Sequence, residues 1–228
     1  MECYGQAPGF YGKLPSHGDF VGRRLPPDVR DRFDRWLQAV LVQSRTDLGA
    51  AWLATWGSSP LWRFVVGAGV CGEQAWAGVM MPSADRVGRC FPLLVAAGMN
   101  GSPSLRACLT LHDAWFGRLE DLALPALDEG FVLEDFDAAL LSIELPFAVP
   151  AVASARPLPW AAVVAPLAGA VLPALAGEPI DGGSAWWTDG SPRVGASLAV
   201  HAGLPAPAAF AALLDGRWEE RGWRQCAE

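Results

Sequence analysis

From Val29 onward, apolar residues recur at positions 29, 33, 36, 37, 40 and 41, the spacing of one helix face. Leu25-Pro26-Pro27 stops whatever extended run precedes it, and Asp28 suits the cap of the helix that follows. Asp28/Arg32 and Asp31/Arg35 are i,i+4 pairs on its polar side. Thr46 suits the cap of a second helix, which reaches Trp56 and ends at Gly57-Ser58-Ser59-Pro60. Ahead of both, residues 9–14 fit a short strand closed by the turn residues Pro15-Ser16-His17-Gly18. The pattern then changes period. Leu61 to Gly69, Ala75 to Met81 and Phe91 to Met99 are runs of Val, Phe, Leu and Trp, and the first two flank a glycine-rich turn, as in a hairpin. Ser104 to about Leu122 returns to helical spacing, with a stripe of Leu105, Cys108, Leu109, His112, Trp115, Phe116 and Leu119. Glu134 to Ile143 predicts a shorter helix. Ala185 to Thr188 and Arg193 to Val200 are strand candidates joined by the turn Asp189-Gly190-Ser191-Pro192, and Pro207 to Leu214 is a last helix.

Helices before, between and after strands predict a single α/β domain with a mixed, largely antiparallel sheet covered by helices. No internal repeat interrupts it. Residues 145–159, rich in Pro and Ala, mark a candidate subdomain junction within the one domain of residues 1–228. The uncharged stretch from Pro157 to Gly177 is long enough for a membrane span, but Pro157, Pro159, Pro166 and Pro173 break a single helix. Trp160 to Val164 reads better as a buried strand and Leu167 to Ala176 as a short helix. No membrane insertion is expected.

Composition sharpens this. Apolar residues make up 52% of the chain and charged ones 18%, which argues for a full core. Net charge is −7, so no phosphate-tracking basic surface dominates and nucleic acid is not an expected partner. A small basic patch at Lys13, Arg23 and Arg24 stays open. Five scattered cysteines without a CxxC pair suit reduced thiols in a cytoplasm. Met1-Glu2-Cys3-Tyr4 lacks the basic and apolar regions of a signal peptide. Eleven tryptophans exceed ordinary core needs and tilt the reading toward a binding protein with some partly exposed indoles.

The chemistry is sparse. Only one of 17 cationic side chains is a lysine, Lys13 in Gly12-Lys13-Leu14. A P-loop needs glycine where Ala7 stands and Ser or Thr where Leu14 stands, so no cofactor of nucleotide type is implied. Ser16, His17 and Asp19 are sequence neighbours, whereas triads are assembled by the fold; Ser16 and Asp19 are expected to bond turn amides and His17 to face solvent. Cys108 and His112 lie one helical turn apart with no second pair, so they read as core rather than as metal ligands. In Pro82-Ser83-Ala84-Asp85-Arg86-Val87-Gly88-Arg89, the arginines either tie the loop down, with Asp19 a candidate partner, or present a carboxylate-binding fork. Trp186 and Trp187 would point to opposite faces of a strand, one to the core and the other to a helix or a partner.

GFYGKLPSHGDF, PSADRVGRCFP and SAWWTDGS, in this order, resemble the signature stretches of the TagF family, also called ImpM, the type VI secretion-associated regulators of Gram-negative bacteria. Trp36-Leu37, Gly69-Val70-Cys71-Gly72 and Leu213 to Trp218 fit the same pattern. His17 departs from it, and residues 145–180 match least clearly. Some members carry a fused protein phosphatase domain, for which this chain has no room. The resemblance implies a cytoplasmic protein, not an enzyme, that represses type VI secretion after translation by binding components of the apparatus, with the forkhead-associated scaffold protein as the presumed target. It hands over no defined active site. The motif positions Lys13, Ser16, Asp19, Asp85, Arg86, Arg89, Trp186 and Trp187 form the candidate partner-binding or site-shaping set. The competing reading is an enzyme or small-anion receptor built on Lys13, Asp19 and Arg86.

Overall fold

The computed structural model of the chain describes residues 7–99, 101, 104–144, 162–166 and 180–225. Its strands are β1 (Gly9–Gly12), β2 (Val21–Arg23), β3 (Trp62–Val66), β4 (Ala75–Met81), β5 (Leu93–Met99), β6 (Ala162–Pro166), β7 (Gly183–Thr188), β8 (Ser197–Ala202) and β9 (Arg224–Gln225). They join in one sheet of order β2-β1-β5-β4-β3-β7-β8-β6-β9. Every described neighbour pair is antiparallel except β6 with β9. This is the expected mixed, largely antiparallel sheet, and helices cover both faces. The β3–β4 pair forms the expected hairpin, from Trp62 opposite Met80 to Val66 opposite Trp76. The Trp160 strand reading is met in part by β6. The helix reading at 167–176 and the junction at 145–159 lie outside the described residues.

Burial on both sides explains the composition of the central strands. β3, β4 and β5 are buried at every position, so they read as continuous apolar runs instead of alternating ones. One face, with Phe10, Val65, Val79, Val95 and Trp187, packs against α3 (Leu105–Thr110), α4 (Asp113–Ala123) and α5 (Leu133–Leu141) through Phe116, Leu119 and Phe136. The other face, with Phe64, Met80, Leu94 and Trp186, packs against α1 (Pro27–Leu48), α2 (Trp52–Gly57) and the short C-terminal helices Pro207–Phe210 and Ala212–Asp215. Arg63, on β3, ties the first helical layer to the sheet. Its fork donates to Glu120 at 2.8 and 2.6 Å and to Asp113 at 2.7 Å.

Four local readings need correction. Asp28 does not cap α1: Pro26 is the cap residue and Pro27 opens the helix, where a missing N–H costs nothing. Asp28 instead lies in the first turn, facing the positive end of the helix dipole. Thr46 begins no new helix, because α1 runs through it to Leu48 and the Thr46 hydroxyl donates to the Val42 carbonyl one turn back. The expected single helix from Ser104 is two. Ser104 does cap it, accepting from the Ala107 amide, but the Leu111 and His112 amides both donate to the Ala107 carbonyl, and α4 starts afresh at Asp113. Of the i,i+4 pairs, Arg35 bonds the Asp31 carbonyl instead of its carboxylate, and Arg32 reaches the Val70 carbonyl.

The tryptophans also need a different account. Every tryptophan among the described residues is buried except Trp36, which is half-buried and donates its indole N–H to the Pro205 carbonyl. Seven of them, at 52, 56, 62, 76, 186, 218 and 223, lie in the layer between the sheet and α1. The excess builds core rather than an indole-rich interface. Cys71 and Cys108 are free and buried, and burial pushes each thiol up to about 12.

Candidate functional site

Two of the three motif stretches meet where β1 passes beside β5. Gly12 ends β1 with φ +150°, and a Cβ there would stand 2.1 Å from the Pro92 carbonyl oxygen, so only glycine lets the two chains approach. The next residue, Lys13, is buried. Its Nζ donates to Asp85 Oδ2 at 2.8 Å and lies 5.0 Å from the centre of the Phe20 ring. Asp85 has no exposed side-chain surface. Its Oδ1 accepts from the amides of Val87 and Arg89 at 3.1 and 2.9 Å, and its Oδ2 also accepts from Arg89 Nε at 2.6 Å. The carboxylate thus folds its own loop while holding the lysine of the other.

Further bonds stitch the two loops together. The Ser83 hydroxyl donates to the Lys13 carbonyl at 2.7 Å, the Arg86 amide to the His17 carbonyl at 2.9 Å, and Arg89 Nη2 to the Gly18 carbonyl at 2.7 Å. The Trp56 indole donates to the Ser83 carbonyl at 3.1 Å, which fastens α2 to the same point. Burial raises the Asp85 pKa, but the bonds from Lys13, the Arg89 amide and guanidinium, and the Val87 amide outweigh it. The carboxyl is held well below its usual range.

The structure therefore brings Lys13, Asp85 and Arg89 into one clasp and lays Ser16 and Arg86 on its outer side. Arg86 and Asp19 are exposed, and Asp19 takes part in no ion pair among the described residues. The arginine partner in the loop is Asp85, not Asp19. Ser16 does not bond a turn amide: its Oγ lies 2.9 Å from His17 Nδ1, and His17 is half-buried. No carboxylate among the described residues bonds that imidazole, so the pair lacks the orienting third member of a triad. The basic patch is also neutralised, since Arg24 pairs with Asp137, which lies 3.9 Å from Arg23 Nε.

Trp186 and Trp187 stand apart from the clasp. β7 is four strand steps from β1, roughly 19 Å at the usual strand spacing. They do point to opposite faces, but both are core. Trp186 stacks on Phe64 at 5.0 Å and donates to the Ser184 hydroxyl, while Trp187 meets the edge of Phe116 at 4.7 Å. Cys108 and His112 are core as well, and no cluster of His, Cys, Asp and Glu among the described residues has the geometry of a metal site.

Sequence reasoning passed over the residues that complete the site. Tyr11, Phe20 and Phe91 form an aromatic lid beside Lys13, with Phe20 stacked on Tyr11 at 5.3 Å and Tyr11 donating to Asp34 at 2.8 Å. An open apolar cavity of about 520 Å³ lies next to the clasp, bounded by Pro15, Leu53, Trp56, Ala84, Cys90 and Leu127. Lys13 and Arg86 do not line it. The Asp85-to-Gly88 spacing, typical of a side-chain-closed turn, was the available signal for the loop.

Residues 9–143, both clasp loops included, match the model described as the TagF N-terminal domain, type VI secretion system-associated. The chain belongs to the TagF family. It is also similar to the crystal structure of PA0076 from Pseudomonas aeruginosa PAO1, with 38% identity over 92% of this chain and 95% of that one, at a TM-score of 0.78. No curated protein matches it.

Proposed function

We propose that the protein is a cytoplasmic, non-catalytic repressor of type VI secretion that binds the forkhead-associated scaffold protein and keeps the apparatus from assembling. The observation that carries this reading is the cross-tied pair of motif loops next to an open apolar cavity. Its polar groups are largely occupied by one another, and what it turns outward are contact groups: Arg86, Val87 and Phe20 on the loops, with Leu53 and Leu127 along the cavity. Loops held in one conformation lose less entropy on association, which favours their use as a recognition surface. The anion-receptor alternative needs a free ammonium, whereas Lys13 is occupied by Asp85. No described helix is long and apolar enough to cross a membrane.

The test is co-purification of the tagged protein with type VI components, together with secretion of the apparatus substrates after overproduction. Capture of the scaffold protein and loss of secretion are expected. Arg86→Glu combined with Val87→Asp should leave the fold intact and weaken capture by about tenfold or more. A folded protein that captures no type VI component and leaves secretion unchanged overturns the reading.

A further inference from the structure

The charge of the chain is not evenly spread. Residues 113–144 hold nine acidic side chains and one basic one, Arg118, a net charge of −8, so this helical hairpin carries more than the −7 of the whole chain and leaves the rest at +1. Three of its acids are paired: Asp113 and Glu120 with Arg63, and Asp137 with Arg24. Three others stand at a groove. Between the end of α4, the turn Leu124–Leu127 and the start of α5 lies an open groove of about 510 Å³. Leu122, Phe131 and Phe136 give it an apolar floor, and Asp121, Asp128 and Asp135 stand around it. None of these three aspartates is in an ion pair among the described residues.

Three unpaired carboxylates around an apolar cavity repel one another and select against an acidic or neutral occupant. The floor has the volume for an apolar anchor side chain. We infer that this groove is a docking site for a basic segment of a partner protein, in which one apolar anchor is flanked by Lys or Arg. The inference rests on the reading of the chain as a binding regulator, and it names the chemistry of what is bound.

The probe is a synthetic twelve-residue peptide with a central leucine pair flanked by lysine and arginine, measured against the full chain by fluorescence anisotropy. It should bind, and weaken by about tenfold between ~50 mM and ~500 mM salt. Replacing its leucines by serine should cost about tenfold or more, because charge alone does not fill the floor. The variant Asp121→Asn/Asp128→Asn/Asp135→Asn should bind about tenfold more weakly, while the three Asp→Glu changes keep affinity. Neutralising three exposed acids elsewhere (Asp31, Glu73 and Glu219) controls for net charge and should change little. If the triple variant fails to fold, Asp128→Asn alone, in a turn, serves with a smaller loss of the same sign. Equal binding by the leucine-free peptide, or by the rim variant and the control variant, overturns the inference. Failure here with scaffold capture intact removes the groove alone. Peptide binding with no type VI component captured removes the regulatory reading alone.

Discussion

Lys13 and Trp186 are both buried side chains in distinctive stretches of sequence, but their surroundings differ in kind. Trp186 is held among rings, with Phe64, Trp36 and the Ser184 hydroxyl as its neighbours, and it lies between the sheet and α1. Lys13 is held by one ring and one carboxylate, Asp85, which loop amides fix in turn, near the sheet margin. The first region gets its stability from area removed from water, which serves the whole domain. The second uses charge-assisted bonds that fix two loops and very little else. Distinctive residues thus divide into those that build the frame and those that shape a surface, and mutation separates the two.

The largest expected effect is at Trp186. Trp186→Ala should destabilise the whole fold by about 3–5 kcal/mol, read from urea unfolding, because a large cavity opens in a layer with no free space to collapse. A loss below about 1 kcal/mol accompanied by lost binding would mean that the residue is a contact rather than core, and the contrast with the clasp would fail. Asp85→Asn comes next. The amide oxygen still accepts from Val87 and Arg89, so the turn survives, but its NH₂ group faces the ammonium of Lys13 and the guanidinium of Arg89, donor against donor. The midpoint should fall less than for Trp186→Ala, while hydrogen exchange speeds up locally at residues 13–20 and 82–92. Uniform exchange across the sheet would show that the clasp supports the entire domain.

Acid titration probes the same carboxylate without a mutation. The folded pKa of Asp85 is lowered, so its contribution is complete above the ordinary carboxyl value of 3.8 and is lost only as pH falls from there through the lower folded value. The Arg89 amide should keep its exchange protection at pH ~4.5 and lose it in stronger acid, and Asp85→Asn should abolish that acid limb. Opening of the loops between pH ~5 and ~7 would sink the assignment, since no lowered carboxyl titrates there.

Periodicity made most of the frame readable, because both helical layers and the β3–β4 hairpin follow from where apolar residues fall. It failed where one element could bend or continue at little cost. Thr46 bonds backward as readily as it caps, and the stripe from Leu105 to Leu119 stays in phase across a break at Leu111 and His112. The short strands β2 and β9 carry too few residues to show alternation. At the site, the motif stretches were visible but their connections were not, because Lys13 and Asp85 lie 72 residues apart and only the fold makes them neighbours. The tryptophans misled for a related reason: an indole at an interface and one in a core look alike until its neighbours are known.

The smallest expected change in stability is at Lys13, and it tests the surface half of the comparison most closely. An arginine at this position keeps the positive charge, so Asp85 is not orphaned and the fold should hold. The shape is wrong, however. Asp85 Oδ2 already accepts from Arg89 Nε at 2.6 Å, and a second planar fork must enter between that bond and the Phe20 ring, where a compact ammonium now fits. Phe20 is 45% exposed and is the neighbour with freedom to move. Lys13→Arg should therefore destabilise the fold less than Asp85→Asn does, displace Phe20 from Tyr11, and weaken repression and scaffold capture together. Full repression with Phe20 displaced would show that the clasp orders its loops without shaping a contact surface. Full repression with Phe20 in place would show that either cation suffices, and the lone lysine would have no bearing on recognition.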